Sequence, residues 1–196
     1  MATNDLNVAT ATRPYPGETA NGDRVQIDWH ADACRIAVID GLGHGPQAAA
    51  DAEAAAATLA RLPELPPDEA LRACDLSLRG RRGAAISIAR LDAHRKLLSF
   101  AGIGNVEARL WQPDRTERLI AFRGIVGVAM RSVRVFTLPL EGAWKLVLHT
   151  DGISARFDDS AFVGSDNIDD LAQGILDRWG RARDDATIVV AEPASR

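Results

Sequence analysis

Lysine is almost missing from this chain. Lys96 and Lys145 are the only two, and arginine carries the remaining positive charge. The arginine bias has no functional reading by itself. Cysteine is equally sparse, with Cys34 and Cys74 alone. One opens an apolar run and the other sits in a helical pattern, so they form neither a disulfide framework nor a zinc site. Both read as small buried fillers in a reduced cytoplasm. No apolar run approaches the ~18 residues of a membrane span. The stretch from Met1 to Thr12 is polar and lacks the apolar core of a secretion signal. A surplus of positive charge is missing too. The formal charge of −4 argues against a general nucleic-acid binder. Repeats, low-complexity tracts and linkers are also absent.

What is present is an ordinary globular composition, 46% hydrophobic and 26% charged over 196 residues. That length predicts a single domain over 1–196, and the pattern of elements sets its core at about 13–192. Arg24 to His30 alternates apolar and polar residues, and Cys34 to Ile39 is an apolar run. The two predict a hairpin turning near Ala31 and Asp32. Pro46 to Arg61 is alanine-rich, with Ala48, Ala52, Ala55 and Leu59 near helical spacing. A second helix is predicted to start at Pro67, with Asp68 and Glu69 at its positive end. From Ala84 the period changes to strands: 84–91, 97–101, 106–111, 116–121, 133–138 and 144–149. A last helix over 168–179 and a strand over 186–191 complete an α+β layered fold.

The chemistry lies in four aspartates spread along the chain. They stand in Asn21-Gly22-Asp23, Asp40-Gly41-Leu42-Gly43-His44-Gly45, Thr150-Asp151-Gly152 and Asp184-Asp185-Ala186-Thr187. Singly, Asp-Gly and Asn-Gly are ordinary turn chemistry. Jointly the pattern differs, because Asp40 and Asp151 both end strongly apolar strands. Asp23 begins a strand expected to pair with the one ending at Asp40. Carboxylates brought together raise one another's pKa, and a divalent cation removes that repulsion. The glycines after Asp40 also invite a phosphate-loop reading. The Gly-Lys-Ser/Thr of such a loop is missing, and Gly-x-Gly-x-Gly is not the dinucleotide pattern. The loop reads better as support for Asp40.

In this order the motifs resemble those of the PPM (PP2C-like) metal-dependent serine/threonine phosphatases, in their bacterial SpoIIE-type branch. The resemblance also rests on Arg82-Gly83-Ala84 with Ile86-Ser87-Ile88, on Gly104-Asn105-Val106 and on His149-Thr150-Asp151-Gly152. It runs from about Gly22 to Val190. It implies an α-β-β-α sandwich of two antiparallel sheets flanked by helix pairs. It implies a pair of Mn²⁺ or Mg²⁺ ions, with Asp40 bridging them and the Gly41 carbonyl on one. Asp151 and Asp184 would bind the second ion, and Asp23 would complete the site directly or through water. Water activated by two metals would then attack phosphorus, with no covalent phosphoenzyme.

The chain departs from the family pattern in places. The histidine that other members have two residues after the bridging aspartate is Leu42 here, leaving His44 as the candidate proton donor. An aspartate tied to a third metal is replaced by Asn105. The phosphate-binding arginine of other members has no obvious counterpart, with Arg13 and Arg24 as candidates. Arg81 and Arg82 read as a basic helix end, with contact to a phosphoprotein partner as the alternative. His30 and His94 show no metal-ligand spacing, and His149 is a candidate supporting residue. The substrates implied are phosphorylated STAS-domain proteins of a stressosome scaffold, met in the cytoplasm by a free-standing phosphatase, with no nucleic acid and no membrane. A rival reading is a catalytically weak module of the same fold that regulates a signalling partner by sequestration.

Overall fold

In the computed structural model, residues 6–162 and 167–194 are described. The chain runs β1 (Leu6–Arg13), β2 (Asp23–His30), β3 (Ala33–Gly41), α1 (Gly45–Ala60), α2 (Pro67–Ser77), β4 (Ala84–Asp92), β5 (Leu97–Ile103), β6 (Glu107–Gln112) and β7 (Arg115–Leu119). It continues β8 (Phe136–Pro139), β9 (Lys145–His149), α3 (Ile168–Trp179) and β10 (Ala186–Pro193), with one 3₁₀ turn at Asp159–Phe162 before α3. Two five-stranded antiparallel sheets face each other, in the orders β1-β10-β9-β6-β7 and β2-β3-β4-β5-β8. Helices α1 and α2 cover the second sheet, and α3 with the 3₁₀ turn covers the first. The expected sandwich of two antiparallel sheets is therefore present, but among the described residues the first sheet carries one α-helix and a 3₁₀ turn where a helix pair was expected.

The layers follow from which faces of the strands are apolar. β3 and β4 are buried along nearly their whole length, because one sheet face meets the other sheet and the opposite face meets helices. Ile36, Val38, Phe100, Leu110, Leu146 and Val189 fill the space between the sheets. Ala37, Ile39, Ile86 and Ile88 point the other way, onto Ala52, Ala55, Leu59 and Leu71 of the helices. The alanines of α1 let that helix lie close to the sheet, and Pro46 suits its first turn. α3 begins with Asn167, whose side chain accepts from the Asp169 and Asp170 amides.

One strand escaped the sequence reading. Leu6–Arg13 pairs with β10 over its full length, from Leu6 opposite Pro193 to Arg13 opposite Ala186. The core therefore begins before residue 13. Its buried positions include Leu6, Ala9 and Ala11, separated by threonine and asparagine. Small buried residues give a weak alternation signal, which is why the segment read as a polar tail.

Both cysteines are free and buried. Burial pushes each thiol up to about 12, so neither offers a nucleophile. Among the described residues, no helix is long and apolar enough to cross a membrane.

Candidate metal centre

The register of each sheet carries the aspartates to one end of the sandwich. In the second sheet Asp23 lies directly opposite Asp40 across the β2–β3 pair. In the first sheet His149 pairs with Ile188, so the residues leaving β9 (Thr150 and Asp151) lie beside those entering β10 (Asp184 to Thr187). The two sheets are joined there. Thr150 Oγ1 donates to Asp23 Oδ2 at 2.7 Å, and the Thr187 amide donates to Thr150 Oγ1 at 3.0 Å. Thr12 and Thr187 share a hydroxyl contact at 2.7 Å, and Asn21 Nδ2 donates to Thr12 Oγ1 at 2.6 Å. Two glycines permit the close approach. A Cβ on Gly41 would strike the Ala48 carbonyl of α1, and one on Gly152 would strike the Asp185 carbonyl.

Asp40, Asp151 and Asp184 line one cleft of about 270 Å³, with Tyr15, His44, Asn105 and Arg183 on its other walls. Asn105 Nδ2 donates to Asp151 Oδ2 at 2.7 Å and fixes that carboxylate. Asp23 and Asp185 stand buried behind the cleft. Asp185 Oδ1 accepts from the Tyr15 amide at 2.8 Å, whereas its buried Oδ2 has no hydrogen-bond partner among the described residues. Of the paired Asp184 and Asp185, the first faces the cleft and the second braces the chain beneath it.

These carboxylates hold one another in an uneasy state. Burial, then the charges of Asp23, Asp151, Asp184 and Asp185, push Asp40 up to about 8. Burial also pushes Asp23 up to about 7 despite the threonine hydrogen bonds that oppose the shift. Asp184 is raised too, by partial burial and then by Asp151 and Asp185. Among the described residues, no three acidic, histidine or cysteine side chains close around one point as a finished cage. The carboxylates nonetheless lie within electrostatic reach of one another, since Asp23, Asp151, Asp184 and Asp185 all raise Asp40.

The other expected residues are placed as follows. His44 lines the cleft, stacks on Tyr15 with ring centroids 4.3 Å apart, and turns Nδ1 to Glu18 Oε1 at 3.4 Å. Gly41 ends β3 beside Asp40, its amide donating to the Gly22 carbonyl at 3.0 Å. His149 is fully buried, with Nδ1 3.0 Å from the Thr150 carbonyl, and burial lowers its pKa. His30 and His94 lie at the opposite strand ends, away from the cleft. Arg24 pairs with Glu53 on the surface, and Arg13 donates to the Arg181 carbonyl at 2.6 Å. Arg81 pairs with Asp51 at 3.2 Å.

Arg183 is the basic residue on the cleft wall, and sequence reasoning missed it. Its one sequence signal was adjacency to Asp184. In sequence Asn105 shows only as a replaced aspartate, whereas in the structure it holds Asp151.

Comparison with known proteins agrees with this architecture. A family model described as Stage II sporulation protein E (SpoIIE) matches residues 30–193. Phosphoserine phosphatase RsbX of Bacillus subtilis (strain 168) is 20% identical over 157 residues, covering 80% of this chain and 79% of that protein. A solved structure of RsbX in complex with magnesium superposes with a TM-score of 0.89 at 18% identity, covering 99% of this chain and 98% of that one. A chain from a structure of the bacterial stressosome, a modular system adapted to control secondary messenger signalling, gives 0.90 at 28% identity, covering 95% and 98%. The PP2C phosphatase domain of SpoIIE from Bacillus subtilis gives 0.80 at 18% identity, covering 97% of this chain and 62% of that one. The fold is therefore the PP2C sandwich, and the chain belongs to the SpoIIE family.

Proposed function

We propose that this chain is a phosphoprotein phosphatase that removes phosphate from serine and threonine side chains with the aid of two Mn²⁺ or Mg²⁺ ions. The observation that carries the reading is the convergence of Asp40, Asp151 and Asp184, from three separate segments, on one open cleft. An uncompensated cluster of this kind would repel a phosphate dianion. It suits hard cations, which take carboxylate oxygens. The unpaired buried Oδ2 of Asp185 and the high pKa values of Asp40 and Asp23 indicate an acceptor-rich site short of positive charge.

In this reading Asp40, Asp151 and Asp184, together with the Gly41 carbonyl, would hold the ions. Asp23 stands behind Asp40, restrained by Thr150. When bound, such ions lower the pKa of water and offset charge on the phosphoryl oxygens. Asn105 keeps Asp151 turned toward the cleft. Arg183 supplies a cationic wall against which a phosphoryl group can be oriented. His44 lines the cleft and is half-exposed, and in this reading it would pass a proton to the departing serine or threonine oxygen.

The substrates in this reading are phosphorylated STAS-domain proteins of a stressosome, met in the cytoplasm. The likeness to RsbX and to the stressosome chain supports that choice. The test is turnover of p-nitrophenyl phosphate and of a phosphorylated STAS-domain protein with Mn²⁺, with and without EDTA. Activity that needs metal and is lost in Asp40→Asn and Asp151→Asn is the expected result. Turnover indifferent to metal, or full activity in both variants, sinks the reading. No turnover together with a tight partner complex would instead identify a sequestering module.

A further inference from the structure

The chain is acidic overall, yet residues 76–91 and 118–140 contain no aspartate or glutamate and eight arginines between them. The fold brings parts of these two stretches into one surface. The Ala84 amide donates to the Val126 carbonyl at 3.2 Å, and the Val126 amide returns to Ala84 at 2.9 Å. Gly127 packs on Leu78, and Val128 lies against Gly83. Further along, Phe122 exchanges backbone hydrogen bonds with Gly102 and Gly104, at 2.9 and 2.8 Å. The segment between β7 and β8 therefore lies across the start of β4 and the end of β5.

Both of those strand ends open onto the metal cleft. The Gly83 carbonyl accepts from the Leu42 amide at 3.0 Å, and Gly104 leads directly to Asn105. Arg82 reaches toward Gly43, which lines the same cleft. The guanidinium of Arg134 lies 5.8 Å from the Phe122 ring centroid. Arg82, Arg123, Arg131, Arg134 and Arg183 are all exposed, and none has an acidic partner among the described residues. Apart from the carboxylates of the cleft itself, two acids near this face are already engaged. Asp51 is buried and serves Arg81 and the Arg82 and Gly83 amides, and Asp75 accepts from the Gly127 amide. Val128 adds an exposed apolar contact among these cations.

We infer that this arginine-rich face, from Arg82 across the segment between β7 and β8, docks an acidic surface flanking the phosphorylated residue of the substrate protein. The inference rests on the phosphatase reading for its partner. Charge complementarity supplies the argument. Arg82 and Arg183 at the cleft, with Arg123, Arg131 and Arg134 on the adjoining segment between β7 and β8, form on a chain of net −4 a local positive field that steers a negatively charged partner. The overall negative charge opposes a nucleic acid or an anionic membrane, which would meet the rest of the surface as well.

The test uses two synthetic peptides of equal length carrying a non-hydrolysable phosphonate in place of phosphoserine, one with acidic and one with neutral flanks. Binding to the full chain with Mn²⁺ is read by fluorescence anisotropy. The acidic peptide should bind about tenfold more tightly, the scale that a handful of screened rim charge pairs reaches. The gap should close in high salt. It should also vanish in the double variant Arg131→Glu with Arg134→Glu, while p-nitrophenyl phosphate turnover stays at the wild-type rate. Equal affinity for both peptides overturns the inference, as does a preference that survives the double variant. Tighter binding of heparin or single-stranded DNA than of the acidic peptide overturns it as well. Loss of all turnover with the peptide preference intact sinks the phosphatase reading alone; normal turnover with no preference sinks the docking face alone.

Discussion

Strand β3 carries two charges, Arg35 in the interior and Asp40 on the cleft wall, and treats them in opposite ways. Arg35 is 1% exposed and fully served. Its Nη2 donates to Asp28 Oδ2 at 2.6 Å and to the Leu59 carbonyl at 2.6 Å, and its Nη1 donates to the Leu62 carbonyl at 2.6 Å. It pairs one carboxylate and satisfies carbonyls at the end of α1, which a helix C-terminus leaves open. Asp40 sits among charges of its own sign, with an acidity pushed up to about 8. The first arrangement is a clamp, complete without any further component. The second gathers like charges with no opposite partner, and it is this excess that the proposed function assigns to cations. Buried charge is thus informative mainly through what surrounds it.

The contrast can be broken from either side. The largest effect should come from Asp40→Asn. Activity with Mn²⁺ should fall about a thousandfold, since metal-assisted stabilisation amounts to several kcal/mol. The metal-free protein should become no less stable, because the substitution removes a repelled carboxylate. Steady-state kinetics and urea unfolding check the two halves. A metal-free Asp40→Asn protein markedly weaker than wild type would show that the carboxylate is a structural member after all.

Arg35→Met is the converse. Leaving Asp28 buried without its partner should cost about 3–5 kcal/mol in urea unfolding. Any protein that remains folded should keep its catalytic rate, because Arg35 lies toward the other end of β3 from the cleft. A rate loss matching that of Asp40→Asn would erase the distinction.

The pH dependence sharpens the comparison. Asp23 and Asp40 have folded-state pKa values of about 7 and about 8, above the ordinary 3.8. Between the ordinary value and these raised values, the folded state binds more protons than the unfolded one. Metal-free stability should therefore be fully present below about pH 4 as far as these groups are concerned, and should fall as pH rises through 7 and 8. Thermal melts in EDTA should show Tm decreasing across that window, and Mn²⁺ should flatten the decline. A metal-free Tm that rises over the same window would contradict the assignment of these two acids.

The smallest effect is expected at Asn105. Asn105→Ala frees Asp151 without removing it, and should weaken Mn²⁺ affinity by about 10- to 100-fold while leaving stability nearly unchanged. Titration calorimetry with Mn²⁺ reads this directly.

Sequence alone determined the strand and helix order from Asp23 onward, because apolar periodicity and glycine or proline breaks are local signals. It also singled out Asp23, Asp40, Asp151 and Asp184, since acidic residues at the ends of apolar strands are visible without coordinates. It did not reveal β1, whose buried positions include the small Ala9 and Ala11. Nor did it show the Arg35 clamp, the hold of Asn105 on Asp151, the place of Arg183 on the cleft wall, or the meeting of the two acid-free stretches. Those depend on strand register and on how one sheet seats against the other. Such relations join residues far apart in the chain, so only the folded structure could decide them.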